Sequence, residues 1–171
     1  FNFSIYNNNM ETFNSYKIVY LIRSESTLLE NYTSLKTQNS DIIVSSWKEN
    51  YVSKDWFDLY IHPNTTWGEG RNKLLEIAFK RNKYDYYIFM DDDVLFNADL
   101  HTPSLQEFLF KNKPMIMYPA WFPRSFNSDV IQYKNNNDSA FSIFHKDILY
   151  NALPYYNELQ DSSWWYSQGI L

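Results

Sequence analysis

Tyr86-Tyr87-Ile88-Phe89-Met90-Asp91-Asp92-Asp93 is the stretch on which the fold reading turns. Five apolar residues in an unbroken run predict a central strand covered on both faces, as in a parallel sheet. Three carboxylates follow at once. Adjacent carboxylates repel one another, and more strongly at a buried strand end than in water. The arrangement makes sense if a cation sits there, and hard oxygen ligands suit Mg²⁺ or Mn²⁺, which also bind substrate phosphates. On an extended segment Asp91 and Asp93 point one way and Asp92 the other. Asp91 and Asp93 are expected to face a ligand, and Asp92 to hydrogen-bond locally. The competing reading is an acidic turn in solvent.

Working outward, apolar runs predict strands at 17–22, 41–46 and 57–61, and another begins at 114–118. Leu28, Leu29, Tyr32 and Leu35 recur at helical spacing and predict a helix over 26–37. A second helix starts near Gly70-Arg71-Asn72 and runs to about Asn82, with Leu74, Leu75, Ile77 and Ala78 on its apolar side. Residues 103–112 form a third, with Pro103 in the first turn. The Asn-rich turn between 129–133 and 139–144 suggests a hairpin, and 145–152 and 161–168 suit short helices. Alternating strands and helices predict an α/β fold with a mostly parallel sheet flanked by helices, plus a small C-terminal hairpin. Ligands in such sheets bind at the carboxyl ends of strands, near a topological switch point, and the aspartate run sits at such an end. Residues 1–15 are polar and aperiodic and read as a loose leader; 16–171 read as one domain, possible part of a longer protein.

Composition bounds the function. The 171 residues suit a single domain with its own core. The absence of cysteine excludes disulfides, thiolate metal sites and thiol nucleophiles. A net charge of −5, with no cluster of Lys and Arg, argues against nucleic acid as a partner. Three glycines leave little room for a Gly-rich phosphate loop. No stretch is long and apolar enough to span a membrane. Asn2, Asn31, Asn64 and Asn137 fit the N-x-S/T pattern, which abundant Asn makes common by chance.

Arg71 is the second clue. A cation in the first turn of a helix opposes the helix dipole and needs a negative partner. Glu69 supplies one reading, as an ordinary salt bridge. A diphosphate or a strand-end aspartate supplies the other.

Gly70-Arg71-Asn72, an apolar helix and Tyr87-Ile88-Phe89-Met90-Asp91-Asp92-Asp93 together resemble the nucleotide-sugar half of GT-A glycosyltransferases, the family-2-like branch above all. That branch shows an Ala-Arg-Asn helix start about twenty residues before its Asp-x-Asp motif. Leu153 to Glu158 is similar to the branch's Gly-Gly-Phe-Asp-Glu stretch, and Gln160-Asp161 to its Glu-Asp pair. Gly70 replaces Ala, Leu153-Pro154 replaces Gly-Gly, and Gln160 replaces Glu. The resemblance covers roughly 16–168 and implies a Rossmann-like GT-A fold. It implies transfer of a sugar from a nucleotide-diphosphate sugar donor, UDP- or GDP-linked, to a hydroxyl of a glycan, glycoprotein or other acceptor.

Asp93, with Asp91, would hold Mn²⁺ or Mg²⁺ against the diphosphate; Asp91 is alternatively a ribose contact. Arg71, Asn72 and Asp92 fall with the donor, and Arg23 and Ser24 with the nucleoside. Asp161 would be general base in an inverting displacement, because a hydroxyl is a poor nucleophile until a carboxylate takes its proton. A helix cap is the plain alternative for Asp161. Trp164 and Trp165, with Trp121, offer flat apolar faces to an acceptor sugar, against core packing as the default. Two other readings stay open: a nucleotidyltransferase, which would want a Gly- or Lys-rich triphosphate loop, and a non-catalytic or hydrolytic nucleotide-sugar binding domain.

Overall fold

The computed structural model describes residues 16–26, 28, 30–94, 102–118 and 140–155. Strand β1 (Ile18–Arg23) is wholly buried. A 3₁₀ helix (Glu30–Leu35) leads to β2 (Ser40–Ser46) and β3 (Asp58–Ile61). Helix α1 (Trp67–Arg81) precedes β4 (Tyr86–Asp91). Then come α2 (Thr102–Asn112), β5 (Ile116–Met117), β6 (Phe141–His145), a single 3₁₀ turn and the short α3 (Leu149–Ala152).

The sheet order is β3-β2-β1-β4-β6-β5. β3, β2, β1 and β4 run parallel, whereas β6 is antiparallel to both β4 and β5. The sheet is thus mixed but mostly parallel, an α/β arrangement of the Rossmann-like GT-A kind. Strand alternation sends side chains to two cores. Ile18, Tyr20, Ile22, Ile88 and Met90 meet Tyr32, Leu35 and Leu109 on one face. Val19, Leu21, Tyr87 and Phe89 meet Leu74, Leu75 and Ala78 of α1 and Leu149 of α3 on the other. β1 and β4 are buried on both faces, which is why they read as continuous apolar runs.

The chain winds from β1 outward to β3, then crosses to β4 on the other side of β1. The switch point therefore lies between β1 and β4, and it opens at their carboxyl ends. Arg23 and Asp91 are direct register partners there.

One expectation needs correction. The helix expected over 26–37 is a 3₁₀ helix of six residues, Glu30–Leu35. Thr33 Oγ1 and Ser34 Oγ donate back to the carbonyls three residues earlier, at 2.7 and 2.8 Å. Such back-bonding competes with the α ladder. The first hairpin strand expected at 129–133 lies outside the described residues. Its expected partner is β6, which inserts between β4 and β5. The leader and the helix at 161–168 lie outside the described residues too.

Candidate donor site at the switch point

Helix α1 begins at Trp67, earlier than the sequence suggests, because Thr66 caps it. The Thr66 side chain accepts from the Glu69 amide, and the Glu69 carboxylate accepts from the Thr66 amide at 2.8 Å. Glu69 is thus spent on a capping box and is not the partner of Arg71. Arg71 stands in the second turn, past the reach of the helix-end dipole. Its partner is the strand-end aspartate: Arg71 Nη2 donates to Asp91 Oδ1 at 2.8 Å.

The Arg71 side chain is fully buried. Its guanidinium lies 3.9 Å from the Trp67 ring centroid and 5.8 Å from those of Phe89 and Tyr155. Nη1 reaches the Tyr155 hydroxyl at 3.3 Å, and Nε has no hydrogen-bond partner. A flat delocalised cation among aromatic faces suits this box better than an ammonium would. Trp67 Nε1 donates to Asp91 as well, at 3.1 Å. Burial pushes the Asp91 carboxyl above its usual value, and the Arg71 charge and hydrogen bond offset part of that rise. Asn72, next in sequence, grips the backbone of Tyr155 both ways: Nδ2 donates to its carbonyl and Oδ1 accepts from its amide, each at 2.9 Å.

Asp92 turns away from this box. Its Oδ2 accepts from Ser24 Oγ at 2.8 Å, the Glu25 amide at 2.9 Å and the Ser26 amide at 3.5 Å. β4 ends at Asp91, so Asp92 and Asp93 belong to a turn and strict strand alternation stops there. Asp93 is exposed and makes no hydrogen bond or ion pair to a described residue.

Arg23, at the end of β1, is also buried. Nη1 donates to Ser45 Oγ at 3.1 Å, Nη2 to Thr65 Oγ1 at 2.8 Å and to the Thr65 carbonyl at 2.9 Å. Its guanidinium lies 4.5 Å from the Trp47 ring centroid, and Nε has no partner. Burial lowers its pKa to about 10, against the pull of Glu69 and Asp91, so the cation persists at neutral pH. His62 Nδ1 lies 3.0 Å from Ser45 Oγ; burial, Lys73 and Arg23 hold the imidazole below its usual pKa.

The structure thus brings Arg23, Ser24, Arg71, Asp91, Asp92 and Asp93 to one end of β1 and β4, with Asn72 beside them on α1. Asp161, Trp164, Trp165 and Trp121 lie outside the described residues. Among the described residues, no three His, Asp or Glu side chains converge in a way that could hold a metal ion. Arg71 and Trp67 engage the Asp91 carboxylate, so a divalent ion here would take Asp93 and complete its shell with water and substrate phosphate. Mg²⁺ binds in that fashion, through one or two carboxylates. Sequence reasoning missed Trp67, Tyr155, Ser45, Thr65 and Trp47. Trp67 carried a signal, since it stands four residues before Arg71 and so shares its helix face. Tyr155, more than eighty residues away, lies in the stretch Leu153 to Glu158 that carries part of the resemblance, but nothing there pointed to Arg71.

No protein-family model matches this chain, and no curated protein does. Solved structures do. Residues 1–349 of TarS from S. aureus superpose with a TM-score of 0.55 at 13% identity, over 84% of this chain and 51% of that one. The chain thus spans about half the length of that structure. CMP:2-keto-3-deoxy-manno-octonic acid synthetase, solved in complex with CTP, gives a TM-score of 0.47 at 13% identity over 90% of this chain and 85% of that one. The TarS likeness is one of fold alone. No helix among the described residues is long and apolar enough to cross a membrane.

Proposed function

We propose that the chain is a divalent-metal-dependent glycosyltransferase that receives a nucleotide-diphosphate sugar in the crevice between β1 and β4. One observation supports the reading: at the switch point, Asp91 and Asp92 are both engaged by protein groups, whereas Asp93 is exposed and makes no hydrogen bond or ion pair to a described residue. An exposed carboxylate at that end is free to take a divalent cation that keeps water and substrate phosphate in its shell. The ion, Mn²⁺ or Mg²⁺, supplies Lewis-acid neutralisation of the leaving diphosphate.

The protein's own groups divide the remaining work. Arg71 and Trp67 fix Asp91, keeping one carboxylate rigid beside the diphosphate. Arg23 and Ser24 line the nucleoside end. Asp161 takes the proton of the acceptor hydroxyl as that oxygen attacks the anomeric carbon and the bond to the diphosphate breaks. Trp164, Trp165 and Trp121 are the aromatic residues assigned to binding the acceptor.

The test is a panel of UDP- and GDP-sugars with Mn²⁺, read as nucleoside diphosphate released with and without hydroxyl acceptors. One donor should turn over, and Asp93→Ala should lower that rate about a hundredfold or more, in keeping with the several kcal/mol a metal contributes. Equal turnover and equal Mn²⁺-dependent nucleotide binding in Asp93→Ala would overturn the proposal. Release without an acceptor identifies a hydrolase, and binding without turnover a non-catalytic binder.

A further inference from the structure

The three carboxylates have three different surroundings, and the middle one is the best connected. Asp92 Oδ2 gathers a hydroxyl and two consecutive backbone amides, all from Ser24 to Ser26, which lie 66 to 68 residues earlier in the chain. The same loop is held from its other side. Tyr51 Oη lies 3.1 Å from Ser24 Oγ and accepts from the Leu28 amide at 3.2 Å. The backbone of the aspartate turn is fixed in parallel: the Tyr32 hydroxyl lies 2.6 Å from the Val94 carbonyl and 3.0 Å from that of Asp92. A chain of polar groups therefore runs from the Leu28 amide through Tyr51 and Ser24 to Asp92. It ties the loop after β1 to the turn after β4 across the mouth of the crevice.

We infer that Asp92 is a positioning residue, a latch that holds the loop after β1 in the shape that receives the nucleoside. This rests on the nucleotide-sugar reading above and deepens it. The Glu25 and Ser26 amides point to one oxygen, and the Ser24 hydroxyl lies against that oxygen and against the Ser26 carbonyl at 2.6 Å, so the loop cannot swing without breaking these contacts. Donors from three consecutive residues meet at one oxygen, which makes this acceptor the tie between the loop and the turn after β4. It acts through the loop: Oδ2 already receives these donors, and Asp93 is the one of the three carboxylates that no described group engages.

Two variants of the full chain test this. In ligand-free protein, Asp92→Ala should speed hydrogen exchange at the Glu25 and Ser26 amides about tenfold, the loss expected for an ordinary hydrogen bond. It should raise the Kd for the nucleoside diphosphate by a similar factor, while the Mn²⁺ dependence of that binding stays as in the parent. Asp92→Asn keeps an acceptor oxygen in place and should restore most of both. If Asp92→Ala does not fold, Ser24→Ala and Asp92→Asn carry the same exchange measurement, with acceleration expected in the first and not the second. Unchanged exchange in Asp92→Ala would overturn the latch. So would Asp92→Asn behaving like Asp92→Ala, because charge would then matter and not the acceptor. The exchange readout needs no ligand. A protein that binds no nucleotide would sink the functional reading and leave the latch to be decided on exchange alone.

Discussion

A methyl group on Gly70 would stand 2.4 Å from Cζ of Arg23 and 2.5 Å from its Nε. The guanidinium thus lies directly against the backbone of α1, where only a glycine leaves room. This accounts for the departure at the helix start, where the resembling pattern has Ala. The glycine costs helix stability, about 0.5–1 kcal/mol relative to Ala in a helix interior. The Arg23 cradle, with its bonds to Ser45 and Thr65, offsets that cost. The two positions should be coupled in sign. Gly70→Ala alone should destabilise the protein by about 1–2 kcal/mol as the guanidinium is driven off its partners. In an Arg23→Ala background the same change should stabilise by up to about 1 kcal/mol. Urea unfolding of the four proteins gives the coupling energy, and identical effects of Gly70→Ala in both backgrounds would refute it. The aspartate triplet teaches a related lesson. The opposite orientation of Asp92 was legible. That Asp92 bonds to a loop so distant in sequence was not, because turns place side chains by tertiary contacts and not by period.

Elements were legible where burial imposes a simple pattern. β1, β2 and β4 are almost wholly buried, and their apolar runs could be nothing else once their length was noted. The 3₁₀ segment deceived because its apolar residues, Tyr32 and Leu35, sit at a spacing that a helix and a 3₁₀ turn share. Thr33 and Ser34 decide the matter, through bonds that spacing does not reveal. Helix α1 shows the reverse case. Thr66 and Glu69 have the S/T-x-x-E spacing of a capping box, so its true start was readable and was missed under the pull of Gly70-Arg71-Asn72. The cap carries a definite weight. Thr66→Ala should cost about 1 kcal/mol and lower Tm by roughly 2–4 °C for a domain of this size, and Thr66→Ser should restore most of it. A calorimetric Tm for Thr66→Ala equal to that of the parent would mean that Glu69 and solvent satisfy the helix end without it.

At the scale of the molecule, the sheet separates two chemistries. The carboxyl ends of β1 and β4 gather the candidate donor site; the amino-terminal side of the sheet carries ion pairs that join segments. Asp41, near the start of β2, is the hub of the second group. Lys36 from the end of the 3₁₀ helix, Lys83 from beyond α1 and the Tyr84 hydroxyl all donate to its carboxylate. Burial alone would raise the Asp41 pKa; these three partners outweigh it and hold the carboxyl well below the usual aspartate range. The consequence for stability has a fixed sign. A carboxyl whose folded pKa is depressed binds its proton more readily in the unfolded chain, so its contribution is complete above the unfolded pKa of about 3.9 and is lost as pH falls from there toward the folded value. Asp41→Asn removes the charge at every pH. It should destabilise the protein at neutral pH, and the gap to the parent should close progressively below about pH 4 as the parent's own Asp41 takes up a proton. Denaturant midpoints measured for both proteins at several values between pH 7 and the acid limit give the curve directly. A gap that stays constant with pH would mean that Asp41 acts by shape and hydrogen bonding alone. A gap that widens in acid would reverse the sign and place the pairing in the unfolded chain.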